Sequence, residues 1–306
     1  GRLGVGERQL RRLFHQHLGA SPVAVAQTRR IHLAKQLIHE THMPMAEIAF
    51  ASGFSSIRRF NETFRDMFGR PPGELRRASA RAVPSDTAGA LSLLLRYQPP
   101  YDWDAMLDFL RLRAIAGIEH VGGNAYARTI EIDGAQGHVR IEPANGDALR
   151  ATIVFPVLSA LPGIIGRIRR VFDLAADPAA IAAHLSEDPD LARHVARRPG
   201  LRVPGAWDGF ELAIRAVLGQ QITVTAAARL AGQLPRSRSA TLSAVAAASL
   251  ANPNLFDAHR GLDEAIHDLR KIRGVGEWTA QYIALRQLRE PDAFPAADIG
   301  LMRALA

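Results

Sequence analysis

The chain contains no cysteine among its 306 residues. That absence excludes disulfide bridges, a thiolate-held iron–sulfur cluster, a cysteine zinc site and a cysteine methyl acceptor. Long apolar runs are missing as well. No uninterrupted stretch is long enough to span a bilayer and the first residues carry no secretory hydrophobic segment, so the expected location is the cytoplasm, with no membrane partner. Acidic residues are the minority charge: 30 Asp and Glu against 38 Lys and Arg leave a formal net charge of +8 and a sequence pI ≈ 10.7. Such a balance favours a polyanionic partner without naming one, and scattered solvated arginines are the plainer explanation. The length suffices for two or three domains with cores of their own.

From Gly1 to about Ala78 the sequence repeats itself. Leu10, Phe14, Leu18, Gly19 and Pro22 recur at a constant offset as Phe60, Phe64, Phe68, Gly69 and Pro72. A four-residue step puts three apolar side chains on one helical face, the glycine ends that helix and the proline opens the next element. The opposite faces carry Arg8, Gln9, Arg11 and Arg12 in one unit and Ser55, Ser56, Arg58, Arg59 and Asn61 in the other, side chains able to reach bases and phosphates. Before the second of these helices, Met45 to Ser55 reads as a short helix, a glycine turn and a serine cap, the helix-turn-helix arrangement. A long helix from Pro22 to Glu40, with Ile31, Ala34, Leu37 and Ile38 on its apolar side, joins the units. An arginine-rich solvated face is the bland alternative. The segment resembles the paired helix-turn-helix domain of AraC/XylS-type regulators over nearly all its length. Measured against that family, the leading helix of the first unit is missing.

Residues 79–90 have no period and many small residues, as a linker does. The next segment, 91–165, reads as a small α+β domain. Leu91 to Tyr97 is an expected strand and Asp102 to Ala116 an expected helix, with Trp103, Met106, Leu107, Leu110 and Ile115 available for burial. Tyr126 to Ile132 and Val139 to Ile141 alternate with period two around Asp133-Gly134, and Leu149 to Phe155 follows Asn145-Gly146. From 166 to 306 the pattern is helical, with helices expected at Arg167–Leu174, Pro178–Ser186, Pro189–Arg197, Trp207–Leu218, Thr223–Gln233 and Ser239–Leu250. The fold class is thus multidomain and mainly α.

The chemistry is expected near the C-terminus. Leu262, Ile266 and Leu269 make one apolar stripe, Thr279, Ile283 and Leu285 a second, and Gly274-Val275-Gly276 joins the two helices. Glycines permit φ > 0 and a close backbone approach, while Val275 plugs the gap between the helices. The amides opening the second helix, with its dipole, suit one phosphate. Lys271, Arg273 and Arg286 supply cations, and Asp298 follows the second helix. A bland helix-loop-helix corner remains the alternative for the glycines alone.

With Asp298 the stretch resembles the helix-hairpin-helix, Gly/Pro/Asp superfamily of DNA glycosylases, and within it the AlkA-type 3-methyladenine glycosylases. The likeness extends to Arg198–Gly205, Phe210–Gln221 and Tyr97–Trp103. It implies an enzyme that hydrolyses the N-glycosidic bond of alkylated bases such as 3-methyladenine or 7-methylguanine, with Asp298 as the catalytic carboxylate. Asp298 as a helix N-cap is compatible with that role. Trp278 and Tyr282, four apart on one helix face, would stack on an electron-poor base, ordinary core packing being the competing explanation. Trp278 occupies the place where lyase-competent relatives carry a Schiff-base lysine, which implies hydrolysis without strand cleavage. Gln220 and Gln221 fall where the family carries its DNA wedge. No metal held by side chains and no cofactor is expected, apart from the monovalent cation that the resemblance places on hairpin carbonyls. Relative to the family, the closing helices that follow the one capped by Asp298, and a helix or two between Gln233 and Arg236, are expected to be missing.

The expected partner is double-stranded DNA, alkylated or at promoters. The regulator likeness adds RNA polymerase, and the chain is expected to be a monomer associated with the nucleoid. Two functions stay open: a repair glycosylase coupled to a transcription-regulator module, or a regulator whose inactive glycosylase-like part only grips DNA.

Overall fold

The four-residue apolar stripe of the second repeat unit folds as expected. Helix α4 (Ile57–Phe68) buries Phe60 and Phe64 completely, and Phe54, Phe60, Phe64 and Phe68 form a ladder with successive ring centroids 5.4, 5.7 and 4.8 Å apart. Ser56 caps α4 by accepting from the Arg59 amide, and Gly69 ends it in the left-handed region at φ 68°. Helix α1 (Glu7–Leu18) carries the same stripe but buries none of it: it packs mainly beside α2 (Pro22–Glu40), whereas α4 is surrounded by α2, α3 (Met45–Ala51) and α5 (Pro72–Ala78). Ile31, Ala34, Leu37 and Ile38 of α2 are the expected buried side.

The computed structural model describes residues 6–78, 90–219, 236–257 and 261–305. These fall into two units, Val5–Trp103 with Ala116–Gly166 and Asp104–Ile115 with Arg167–Ala306. Gln220, Gln221 and the helix expected at Thr223–Gln233 lie outside the described residues. Among the described residues no helix is long and apolar enough to cross a membrane.

The first unit joins the helix-turn-helix to a five-stranded antiparallel sheet in the order β1-β5-β4-β3-β2. Its strands are β1 (Leu91–Arg96), β2 (Glu119–Gly122), β3 (Ala125–Ile132), β4 (Ala135–Ala144) and β5 (Ala148–Val154). Asp133 and Gly134 both take positive φ, as the two-residue hairpin requires. The second expected turn is displaced by one residue, with positive φ at Gly146 and Asp147 instead of Asn145. Strand β2 was not anticipated. It is four residues long, and its turn signal, Gly123-Asn124 with both φ positive, is the mirror of the usual Asn-Gly order. The register sets Tyr126 opposite Ile141 and Ile141 opposite Ala151, so one face is apolar across β3, β4 and β5 apart from one buried ion pair. Arg128 and Glu119 are paired across β3 and β2 on that face and both are buried, with the Tyr126 hydroxyl donating to Glu119 at 2.7 Å.

The second unit holds α6 (Trp103–Arg113, from Asp104 onward), α7 (Leu161–Val171, from Arg167 onward), α8 (Pro178–Leu185), α9 (Pro189–Arg197), α10 (Gly209–Gly219) and α11 (Arg236–Ala251). After these come α12 (Leu262–Arg270), α13 (Glu277–Ile283), a wider π turn over Ala284–Leu288, and α14 (Ile299–Leu305). Leu212, Val217, Val245, Leu269, Val275 and Ile283 share one core cluster, so α10 to α13 are packed together.

The two hairpin glycines are constrained differently. Gly274 sits at φ 86°, and a Cβ there would lie 2.0 Å from Thr241 Oγ1, whereas Gly276 has φ −87° with nothing within 4 Å. Gly274→Ala combines left-handed strain with overpacking and is expected to cost about 2–4 kcal/mol. Gly276→Ala should change stability by less than about 1 kcal/mol. Urea unfolding of the two variants side by side checks this, and equal losses would contradict it.

Candidate active site and DNA-binding hairpin

The hairpin is built as its residues demand. Ala265, Ile266 and Leu269 of α12 and Thr279, Ala280 and Ile283 of α13 face one core, and Val275, only 6 % exposed, fills the corner between them. The expectation that both glycines use positive φ holds for Gly274 alone. Gly276 is the extended N-cap of α13 and is open to solvent. The first intrahelical bond of α13 runs from the Ala280 amide to the Gly276 carbonyl at 3.0 Å, so the amides of residues 277–279 belong to the turn where a helix has no internal acceptors.

The cations around this corner divide unequally. Arg273 is exposed. Lys271 is held by Asp268 at 2.9 Å, and Arg270, which the sequence pattern did not single out, pairs with Glu277 at 2.9 Å. Glu277 complements the dipole of α13 and brings negative charge to the corner, which Arg270 offsets. Arg286 does not serve as a surface cation at all. It is 7 % exposed and donates to the carbonyls of Pro204 at 2.8 Å and Gly205 at 3.0 Å, and to the Tyr282 hydroxyl. Its guanidinium lies 4.7 Å from the Phe109 ring centroid. Burial pushes the Arg286 pKa below the ordinary arginine value, an effect that Tyr282 opposes. The π turn carries Arg286 inward, which helical spacing alone does not reveal.

Other arginines hold the same irregular stretch. Arg170 donates to Ala206 and Trp207 carbonyls at 3.0 and 2.9 Å, and Arg289 to Val203 at 2.9 Å. Gly205 lies so close to α7 that a Cβ would meet the Arg170 carbonyl at 2.2 Å. The irregular run from Val203 to Trp207 therefore has its carbonyls satisfied by side chains where no helix or sheet satisfies them.

Asp298 lies half-buried at the start of α14. Its Oδ1 accepts from the amides of Gly300 at 2.8 Å and Leu301 at 3.2 Å, an N-cap geometry, and its Oδ2 accepts from the Trp278 indole N–H at 2.9 Å. A carboxylate has about four lone-pair sites. Among the described residues one remains, on Oδ2. Trp278 in turn stacks on Tyr282, with centroids 5.1 Å apart and planes 15° from parallel, and both rings are half-buried. Arg286, Tyr282, Trp278 and Asp298 thus form one connected series from the interior to the surface. The cap role and the carboxylate role of Asp298 coexist in this geometry, as do the core contact and the exposed ring surface of the aromatic pair.

A groove of about 600 Å³ runs along α12 and α13 and is lined by Ile266, His267, Arg270, Lys271, Glu277 and Gln281 among others. Trp278, Tyr282 and Asp298 do not line it. On the first unit, Arg8, Gln9, Arg11, Arg12, Ser55, Ser56, Arg58 and Arg59 are exposed and Asn61 is half-buried, so the expected DNA-facing set is on the surface. Within that set Arg11 pairs with Glu7 and Arg58 with Glu62, and Ser56 is the helix cap. Among the described residues no group of three side chains is suited to hold a metal ion.

A helix-turn-helix unit joined to an antiparallel sheet, and a helical unit with a glycine hairpin beside a positioned carboxylate, define the class: a DNA glycosylase fold preceded by a DNA-reading module. Comparison with known proteins agrees. A helix-turn-helix domain family matches residues 1–78, and the AlkA N-terminal domain family matches residues 92–208. The probable bifunctional transcriptional activator/DNA repair enzyme AlkA of Mycobacterium tuberculosis is 37% identical over 98% of this chain and 68% of its own length. DNA-3-methyladenine glycosylase 2 of Escherichia coli is 30% identical over 67% of this chain and 83% of its own. The solved 3-methyladenine DNA-glycosylase of Archaeoglobus fulgidus shares the fold, with a TM-score of 0.59 and 20% identity over 70% of this chain and 85% of that one. The chain belongs to the AlkA family.

Replacing Arg286 by methionine leaves the Pro204 and Gly205 carbonyls without their donor in a buried setting. We expect a loss of about 2–4 kcal/mol in the unfolding of the second unit, followed through tryptophan fluorescence. An unchanged midpoint would mean that the run over Leu201–Trp207 does not depend on this side chain.

Proposed function

We propose that the second unit is a base-excising DNA glycosylase acting on alkylated bases, coupled to a regulator module at residues 1–78, with 79–90 as linker, 91–165 as a supporting α+β domain and 166–306 as the glycosylase domain. The observation that carries the reading is the Asp298 carboxylate, held by three donors with one lone pair left beside a half-exposed aromatic pair. A base inside a duplex is out of reach, so its nucleotide has to be everted at a cost of a few kcal/mol, less for a damaged base. Breaking the N-glycosidic bond builds positive charge on the sugar. A fixed anion is already oriented for that charge and needs no reorganisation as it develops. The Trp278–Tyr282 face would attract a cationic alkylated ring by about 0.5–2 kcal/mol.

Hydrolysis without strand cleavage is the reading that Trp278 supports, since it stands two residues after Gly276, where lyase-competent relatives carry a Schiff-base lysine. The open Gly276 corner and exposed Arg273 would hold a phosphate of the same strand, and Gln220 with Gln221 would fill the gap left by the everted nucleotide. A monovalent cation at the hairpin fits a site made of carbonyls, since α12 ends into the turn with the negative end of its dipole. Duplex DNA is the partner of both modules. Contact of the regulator with RNA polymerase, action as a monomer and a place at the cytoplasmic nucleoid complete the proposal.

Asparagine caps helices as well as aspartate does, so Asp298→Asn removes the charge and retains the fold. Release of 3-methyladenine from methylated duplex DNA should fall about 10²–10³-fold in this variant. Equal release would remove Asp298 from the chemistry, and no release from the parent chain would leave only the DNA-gripping regulator. In the first unit, Arg59→Ala should weaken duplex binding and reduce the slope of log affinity against log salt by about one; an unchanged slope would show that Arg59 makes no phosphate contact.

A further inference from the structure

Strand β1 is an outer strand of the sheet, and in an antiparallel pair alternate residues of such a strand turn their N–H and C=O away from the neighbour. An unpaired edge of this kind is an open template for another chain. Leu94 is one of the outward-turned residues, and its two polar groups are occupied by side chains of α2. Its amide donates to Glu40 Oε2 at 2.7 Å, and its carbonyl accepts from Gln36 Nε2 at 2.8 Å. Gln36 and Glu40 are four apart on α2 and are themselves joined, Gln36 Nε2 to Glu40 Oε2 at 3.2 Å. The helix therefore presents one donor and one acceptor to a single strand residue, as a neighbouring strand would.

A second contact lies elsewhere on the same unit, where α3 packs against the short 3-10 turn at Leu158–Ala160. Both anchors use α2 and α3. The exposed arginines Arg8, Arg12 and Arg59 are on α1 and α4, which neither anchor covers.

We propose that α2 and β1 form an intramolecular dock, in which the Gln36–Glu40 pair seals the open edge of the sheet and makes the helix-turn-helix and the sheet one rigid DNA-reading body. The sheet then serves the regulator as well as the glycosylase. A module joined only through its linker would move freely against the sheet; the Leu94 contacts would hold this one in place. Duplex reading by α1 and α4 takes place with the sheet attached.

The absence of cysteine permits a direct test on the full chain. Spin labels at Asp66→Cys on α4 and Thr129→Cys on β3, both exposed, should give one narrow distance distribution by pulsed electron resonance. Adding Gln36→Ala with Glu40→Ala should broaden it, and the Leu94 amide should exchange with solvent about tenfold faster or more while the Val139 and Ile141 amides, inside the sheet, keep their protection. Glu40→Gln retains a carbonyl acceptor and should preserve most of the Leu94 protection. A broad distribution in the parent chain, or an unchanged Leu94 rate in the double variant, would overturn the dock. The β4 amides report whether the variant sheet is folded, so neither result is confused with unfolding.

Discussion

The close approach of Gly274 to Thr241 is the constraint on which the active region depends. Only a residue without Cβ fits at φ 86° with a hydroxyl where a methyl would otherwise be. That contact sets α11 against the hairpin and lets Val275 enter the core cluster shared by α10, α12 and α13. The direction of α13 then fixes Trp278, and the indole N–H fixes Asp298. A backbone requirement far from any reacting atom thus becomes the orientation of a carboxylate. Because packed interiors deform little, an error at the glycine would be transmitted along the whole series.

Basic charge is disposed in two ways in this protein. On α1 and α4 the arginines are exposed, as a phosphate-binding surface needs. In the second unit Arg170, Arg202, Arg286 and Arg289 turn inward and bind backbone carbonyls. Arginine suits both tasks because its planar fork makes several hydrogen bonds in fixed directions and its charge survives burial better than an ammonium. A net charge read from composition cannot separate the two, which explains how Arg286 came to be expected at the surface. The arginine hydrogen bonds to the carbonyls of Val203–Trp207 give that run a structural role.

Much of the architecture was legible in the residues themselves. The repeat of Leu10, Phe14 and Leu18 in Phe60, Phe64 and Phe68, and the stripes flanking Gly274-Val275-Gly276, encode local geometry, and the helices that carry them lie where the patterns put them, whereas α7 begins at Leu161, ahead of the expected Arg167. Asp298 and the Trp278–Tyr282 pair were visible as candidates through the family likeness. Their mutual contact was not, because an indole donating to a carboxylate twenty positions on depends on the π turn and on the chain returning after Leu288. Strand β2 was missed since four residues with a Gly-Asn turn carry too little periodicity. The pairing of Gln36 and Glu40 with Leu94 had no signal either: on α2 they read as an ordinary polar face.

The chemistry proposed for Asp298 requires its anion to face positive charge on the sugar of an everted nucleotide. The most direct measurement compares binding of two duplexes, one with a cationic pyrrolidine ring in place of the target deoxyribose and one with a neutral ring of the same size. Transition-state mimics bind at least about 10²-fold more tightly than ground-state analogues when an enzyme is complementary to the charge. A preference of that order for the cationic duplex is expected in the parent chain, lost on replacing Asp298 by asparagine. Equal affinity for the two duplexes, or a preference that survives the replacement, would contradict it.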